Sequence, residues 1–387
     1  MNPTFTTNDF IRIASTVAEH YGFDPIQQIS KDPLCRDCPQ TRTSKATAKD
    51  RKKDALHGLL TNGSVAYCEN GWHQLERPIF SYSLESVPRT GEIALSLQVF
   101  HVEKSIAEAV LIQAGRTLLS ELGFADHTVY VNSLGDQESH TRYIRELTNF
   151  FRKRIEYLPL TARELMKEHV ILSLLHLIEK EHEIAYKAPN PLEYLSDTSR
   201  KHFREIIEYL DMSDAPYEIN PLLLGHHECY SDTLFTIETE NTEYPLVIRG
   251  GRYQNFMQRH TAAPTPAVGA VLIVPERKIP TRVSRPRLPQ PDVFVVHLGF
   301  GPRVRTLLLV DELRQAGIPV LHAIATDSLS AQLREAERLG CAYTVIIGQK
   351  EYVENSVILR DMLARNQETI SQDQLHKKLK RSYATTS

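Results

Sequence analysis

The sequence predicts two domains: an α+β core that carries a helical insertion, and a smaller C-terminal α/β domain. Three observations predict this. A pair of strand patterns at 77–100 runs into a long amphipathic helix. The block at 136–188 is rich in Glu, Lys, Arg, His and Leu and reads as helices carried on a sheet domain. Beyond a Pro-rich basic stretch, strand and helix patterns alternate with short loops.

The elements follow in order. Residues 7–21, TNDFIRIASTVAEHY, form a helix capped by Thr7 or Asn8, with Ile11, Ala14, Val17 and Ala18 on one face. Gly22 ends it, and Asp24-Pro25 begins a new segment. CRDCPQTRTSKATAKDRKKDALH, 35–57, is a polar, basic loop or short exposed helix. RPIFSYSLESVPRTGEIALSLQVF, 77–100, gives two strands with a turn around Pro88 and Gly91. A helix from about Ser105 to Leu122 aligns Ile106, Val110, Leu111, Ala114, Leu118 and Leu119, and Gly123 stops it. HTVYVNSLG, 127–135, is a strand and turn, and 136–188 is mostly helical. A helix at 197–210 leads to strands near 217–224, 232–239 and 244–249. RGGRYQNF, 249–256, is a turn between strand and helix, and PTPAVGAVLIV, 264–274, an extended approach into a buried helix or strand.

PERKIPTRVSRPRLPQP, 275–291, is a linker, because its prolines forbid regular structure. The domains expected are thus 1–274, with the insertion at about 136–188, and 292–387. In the second, strands at 292–298, 318–323, 342–347 and 356–360 alternate with helices at 302–316 and 328–339, which predicts a largely parallel sheet.

Composition narrows the function. The chain has 387 residues, 41% hydrophobic and 24% charged, with a formal net charge of −3. Any nucleic-acid contact must therefore come from local basic patches. No apolar run is long enough to cross a bilayer, and MNPTFTTNDFIRIA has neither the basic start nor the apolar core of a signal peptide. Five cysteines are an odd count for a disulfide framework, so a reducing cytoplasm is expected.

Several runs carry a specific resemblance: IAEAVLIQAGRTLLSELGFADHTVYVNSLGD (106–136), PNPLEYLSDTSRKHFREIIEYLDMSDAPYEINPLL (189–223), RGGRYQNF (249–256), TPAVG (265–269) and SLSAQLREAERLGCAYTVIIGQKEYVENSVILRD (328–361). In this order, over most of the chain, they resemble class II aminoacyl-tRNA synthetases of the histidyl type. The resemblance implies a class II synthetase-like core, an antiparallel sheet with helices and a helical insertion, followed by an anticodon-binding-type domain. It also implies a homodimer formed through the N-terminal core.

The reactive groups do not follow. Activating an amino acid with ATP needs cationic groups against the phosphates, and arginine suits that task. In the family the hairpin places an arginine directly after a phenylalanine and a glutamate two residues on. Here Phe80 is followed by Ser81 and then Ser83. The return strand begins Glu92, Ile93, Ala94, Leu95 where the family has aromatic and amide residues, and Arg89 lies in the turn. The family's amino-acid-holding loop before the hairpin has no clear counterpart. Anchoring its arginine-glycine-leucine-aspartate-tyrosine-tyrosine motif on Thr233, Leu234 and Phe235 gives Gly225, His226, His227, Glu228, Cys229 and Tyr230. The arginine position is glycine; Glu228 keeps an acid and Tyr230 a tyrosine. The glycine turn Gly250-Gly251-Arg252-Tyr253 is intact, and Arg252 either faces the site or fixes the fold. Glu276-Arg277 falls one residue late behind Pro275. Ser81, Ser83, Arg89, Glu92, His226, Glu228, Tyr230, Arg252 and Tyr253 are thus expected to line a remnant pocket without catalytic residues.

Other groupings carry chemistry of their own. Arg42, Lys45, Lys49, Arg51, Lys52 and Lys53, with Arg282, Arg285 and Arg287 of the linker, are candidate RNA contacts against a plainer reading as solvated surface. The basic tail QLHKKLKR, 375–382, stands between the same two readings. Cys35, Cys38, Cys68 and His73 could form a Cys₃His zinc site, against unrelated loop and core thiols. His226 and Glu228 share one strand face and His227 and Cys229 the other, which favours a remodelled pocket wall over a metal.

The expectation is a histidyl-tRNA-synthetase-like pseudoenzyme of the cytoplasm, binding tRNA or another structured RNA, or regulating a protein partner. No cofactor is expected beyond that zinc, ATP binding least of all, and no membrane is involved. A divergent active histidine–tRNA ligase and a regulatory subunit of ATP phosphoribosyltransferase are the alternatives.

Overall fold

The computed structural model describes residues 4–26, 63–75, 77–86, 92–225, 230–240, 242–243, 245–261, 264–274, 279–280, 291–318 and 320–386. They divide into two compact units. One holds the described residues of Pro25–Ser120 and Phe124–Ile279; the other holds those of Met1–Asp24, Glu121–Gly123 and Pro280–Ser387.

Helix α1, Thr7–His20, belongs to the second unit. Thr6 caps it rather than Thr7 or Asn8. Its hydroxyl accepts from Asp9 N while the Asp9 carboxylate accepts from Thr6 N, a reciprocal capping box. Phe10, Ile13, Ala14 and Val17 turn inward.

The larger unit is built on an eight-stranded sheet. Seven of its strands are β1 (Ile79–Ser86), β2 (Ile93–Phe100), β3 (His127–Ser133), β4 (Tyr217–Ile219), β5 (Thr233–Thr239), β6 (Val247–Arg252) and β7 (Ala267–Val274). They lie in the order β1-β2-β7-β6-β5-β3-β4, and every neighbouring pair is antiparallel except β3 with β4. RGGR is therefore not a turn: residues 249–252 finish β6, paired on both sides, and the small-residue segment after Pro266 is a central strand.

Register decides which residues share a face. Ser81 opposes Gln98, Gln98 opposes Gly269, Gly269 opposes Gly251, and Gly251 opposes Leu234. These five form one row on one face of the sheet. Arg252, opposite Val268, belongs to the other face.

Helix α2, Ile106–Glu121, follows the hairpin as its periodicity requires. The insertion is helical: α3 (Gln137–Arg152), α4 (Leu160–Glu168) and α5 (Val170–Glu179), before α6 (Asp197–Met212). A short helix, α7, Gln254–Thr261, lies between β6 and β7. The row face and the insertion share one apolar core that includes Trp72, Phe100, Leu147, Phe151, Leu174, Tyr230, Leu234 and Tyr253.

The second unit carries a five-stranded sheet of β8 (Val293–His297), β9 (Val320–His322), β10 (Tyr343–Ile347), β11 (Ser356–Asp361) and β12 (Gln367–Ser371). Its order is β9-β8-β10-β11-β12; the first three strands are parallel and the last two antiparallel. Helices α8 (Phe300–Gln315), α9 (Leu329–Arg338), α10 (Gln349–Val353) and α11 (Gln372–Thr386) complete it. The basic C-terminal segment is not merely a solvated tail, because Leu375 and Leu379 are buried and seat α11. No helix among the described residues is long and apolar enough to cross a membrane.

Candidate functional site

Strand β1 delivers Ser81 to the row face, wholly buried, and its Oγ has no hydrogen-bond partner among the described residues. Opposite it, the Gln98 amide donates to Ser96 Oγ at 2.7 Å and its carbonyl accepts the Tyr253 hydroxyl. Gln98 and Tyr253 are buried too, and that burial holds the Tyr253 phenol well above its usual range.

The surrounding glycines make this closure tight. A Cβ on Gly269 would sit 2.7 Å from Gln98 Oε1, one on Gly63 3.1 Å from the same amide group, and one on Gly251 2.8 Å from the Tyr230 ring. At Gly225 the clash would be 2.0 Å, against Tyr230 Cδ2. Tyr230 thus lies over the backbone where the resemblance expects an arginine. No side chain larger than hydrogen enters unless Tyr230 moves.

The structure brings Ser81, Tyr230 and Tyr253 into one buried group and adds Gln98, which no sequence pattern singles out. Its pairing with Tyr253 spans 155 residues and depends on strand register. Ser83 turns to Glu85, donating to its carboxylate at 2.9 Å. Glu92 stands just before β2, about 20 Å from Gln98 at ordinary strand rise. Arg89, His226 and Glu228 lie outside the described residues, as do Arg42, Lys45, Lys49, Arg51, Lys52, Lys53, Arg282, Arg285 and Arg287. So do Cys35 and Cys38 of the zinc grouping; Cys68 is buried, and the His73 imidazole is held below its usual pKa by burial.

Arg252 faces away from that group. It forms a two-pronged ion pair with Glu108 of α2, Nε to Oε1 at 2.9 Å and Nη2 to Oε2 at 2.8 Å, and donates to Val102 O at 3.0 Å. His202 of α6 reaches the same Oε1 at 3.0 Å. Burial alone would push the Glu108 carboxyl up, but Arg252 and His202 hold it down at about 2. Burial opposes charge on His202 as well, yet Glu108 raises its pKa above the ordinary value. Nearby, burial pushes Asp232 up to about 6 against the pull of His202 and Arg252. Glu108, His202 and Asp232 come from three distant segments and show no motif.

Comparison with known proteins fits this architecture. Residues 292–382 match the family model described as the anticodon binding domain. The histidine–tRNA ligase of Thermosipho melanesiensis is 28% identical over 307 residues, 76% of this chain and 71% of that protein. The histidine–tRNA ligase of Dehalococcoides mccartyi is 27% identical over 346 residues, 85% of this chain and 82% of that protein. The crystal structure of apo S. aureus histidyl-tRNA synthetase superposes with a TM-score of 0.52 at 17% identity, covering 96% of this chain and 94% of that one. Fold and C-terminal domain together define a class II aminoacyl-tRNA-synthetase-like protein. Within that class, the chain is similar to the histidine–tRNA ligases.

Proposed function

We propose that this chain is a non-catalytic member of the family that binds tRNA or a related structured RNA, as a homodimer in the cytoplasm. The observation that carries the proposal is the closed group of Ser81, Gln98, Tyr230 and Tyr253. Adenylate formation needs an open site and cationic donors preorganised around the phosphates. Here the first position offered for such a donor is a buried serine, and the second is a glycine covered by Tyr230. The loss of one such donor costs about 3–4 kcal/mol of barrier, and the loss of several leaves little rate enhancement. The match of residues 292–382 to an anticodon binding domain supports the RNA part.

The decisive experiment is ATP–pyrophosphate exchange across all amino acids, alongside filter binding of bulk tRNA at low salt. Exchange at blank level with retained tRNA binding is expected. Exchange with histidine above blank would establish instead the divergent active ligase, the reading that the curated relatives favour. Folded protein that binds no tRNA would end the RNA part.

A further inference from the structure

A second site lies on the α2 side of the sheet. A cleft of about 400 Å³ opens there, lined among others by Glu103, Asp136, His202, Asp232, Arg252 and Gln254. We propose that this cleft binds a small primary amine, with the Asp232 carboxylate as its anchor.

The unfilled hydrogen-bond capacity of one buried carboxylate points to a donor ligand. The guanidinium of Arg252 is committed to Glu108 on two prongs, and His202 is turned to the same carboxylate. The Arg252–Glu108 pair neutralises itself, and His202, whose pKa Glu108 raises, offsets part of the Asp232 charge without hydrogen-bonding to it. Asp136 is likewise occupied, accepting from Ser139 N at 2.9 Å, Ser139 Oγ at 2.7 Å and Ser196 Oγ at 2.6 Å. Asp232 remains. It is only 9% exposed and lines the cleft, and among the described residues its carboxylate accepts one hydrogen bond, from Ser133 Oγ at 3.1 Å. A carboxylate has room for about four hydrogen bonds. Burying one so poorly satisfied is costly unless a ligand completes it.

The geometry selects the kind of cation. No group of three His, Cys, Asp or Glu side chains among the described residues is placed to hold a metal ion. An alkylammonium needs only one buried carboxylate and a few acceptors, and the Gln254 and Gln258 carbonyls on α7, with Glu103 at the rim, offer those. The groups facing Asp232 are Glu108 on α2, His202 on α6, Arg252 on β6 and Ser133 on β3; the lining residues of α7 are uncharged. Its high pKa fits a site kept for binding at the expense of stability. An amine should therefore bind less well as the pH falls below about 6.

Isothermal titration of the full chain with 1,4-diaminobutane near neutral pH tests this. Saturable binding is expected, with a loss of about tenfold or more in Asp232→Asn and for tetramethylammonium, which has no N–H to donate. Asp232→Asn removes a strained charge, so its unliganded form should melt at a higher temperature while the diamine gives it no further shift. If that variant does not fold, Gln254→Phe fills the cleft without touching the buried charges and should abolish binding. Absence of binding by the folded protein, undiminished binding by either variant, or saturation by Mg²⁺ in place of the diamine would overturn the proposal.

Discussion

Arg252 and Glu108, 144 residues apart, grip each other through two hydrogen bonds in the interior of the larger unit. Arg252, at the end of the Gly250-Gly251 run, thus ties β6 to α2 on the face opposite Ser81 and Gln98. Removing one partner of such a buried pair strands the other charge. Arg252→Met or Glu108→Leu should each cost about 3–5 kcal/mol in urea unfolding, and the double variant much less than their sum. Arg252→Lys should rescue only partly, because an ammonium cannot reproduce the planar fork. Additive losses would show that the pair is not coupled.

Ser81 gives a prediction of opposite sign. Its hydroxyl is buried without a hydrogen-bond partner among the described residues, so Ser81→Ala should leave stability unchanged or raise it by up to about 1 kcal/mol. Ser81→Arg, the substitution that would restore a cation after Phe80, should destabilise by about 3 kcal/mol or more, since the charge enters a closed apolar region. It should not restore pyrophosphate exchange. Exchange recovered by that one substitution would mean that Tyr230 and Gln98 move aside and that the site is latent rather than closed.

The contrast between Ser81 and Gln98 shows what the sequence could and could not convey. Strands and helices were legible because apolar spacing is local: α2 was expected at 105–122 and spans Ile106–Glu121, and β8 was expected at 292–298 and spans Val293–His297. Ser81 stood out because a phenylalanine marks the place where an arginine resembling the family's would follow. Gln98, Glu108, His202 and Asp232 stood out in nothing, since each acquires meaning from a partner on another element. RGGR read as a turn because its glycines suggest one, yet they serve close packing within β6 against Phe235 and Tyr230. Strand β12 escaped notice because four of its five residues are exposed, leaving no alternation to read.

Two histidines make the smaller unit sensitive to acid. His20, at the end of α1, touches Val310 O at 3.3 Å; burial, with Arg314 and His322, lowers its pKa to about 3. His322 on β9 has both ring nitrogens buried without a hydrogen-bond partner among the described residues, and burial lowers its pKa to about 4. The unfolded chain therefore takes up these protons first. The neutral rings favour the fold fully above pH 6.5, and that contribution is lost as pH falls towards 4 and then 3. The loss is on the order of 3 kcal/mol per ring, as read by hydrogen exchange in β8 and α8. His322→Leu should flatten that acid limb. An unchanged limb would assign the acid sensitivity to other groups.

The RNA reading makes a prediction about salt. Lys49, Arg51, Lys52 and Lys53 place four basic residues within five positions, while the overall charge is negative. If they contact phosphates, each contact releases counterions and steepens the fall of affinity with salt. Replacing all four by Ala should then lower the slope of log K against log[salt] by about 3, at roughly 0.7–0.9 per lost contact. Affinity should fall evenly across RNA sequences, because phosphate contacts carry no base information. Arg282, Arg285 and Arg287 should behave alike, with a smaller change for three charges. A wild-type slope in the quadruple variant, with tRNA still bound, would leave the anticodon-binding domain as the carrier of the interaction. The basic run would then be a solvated surface.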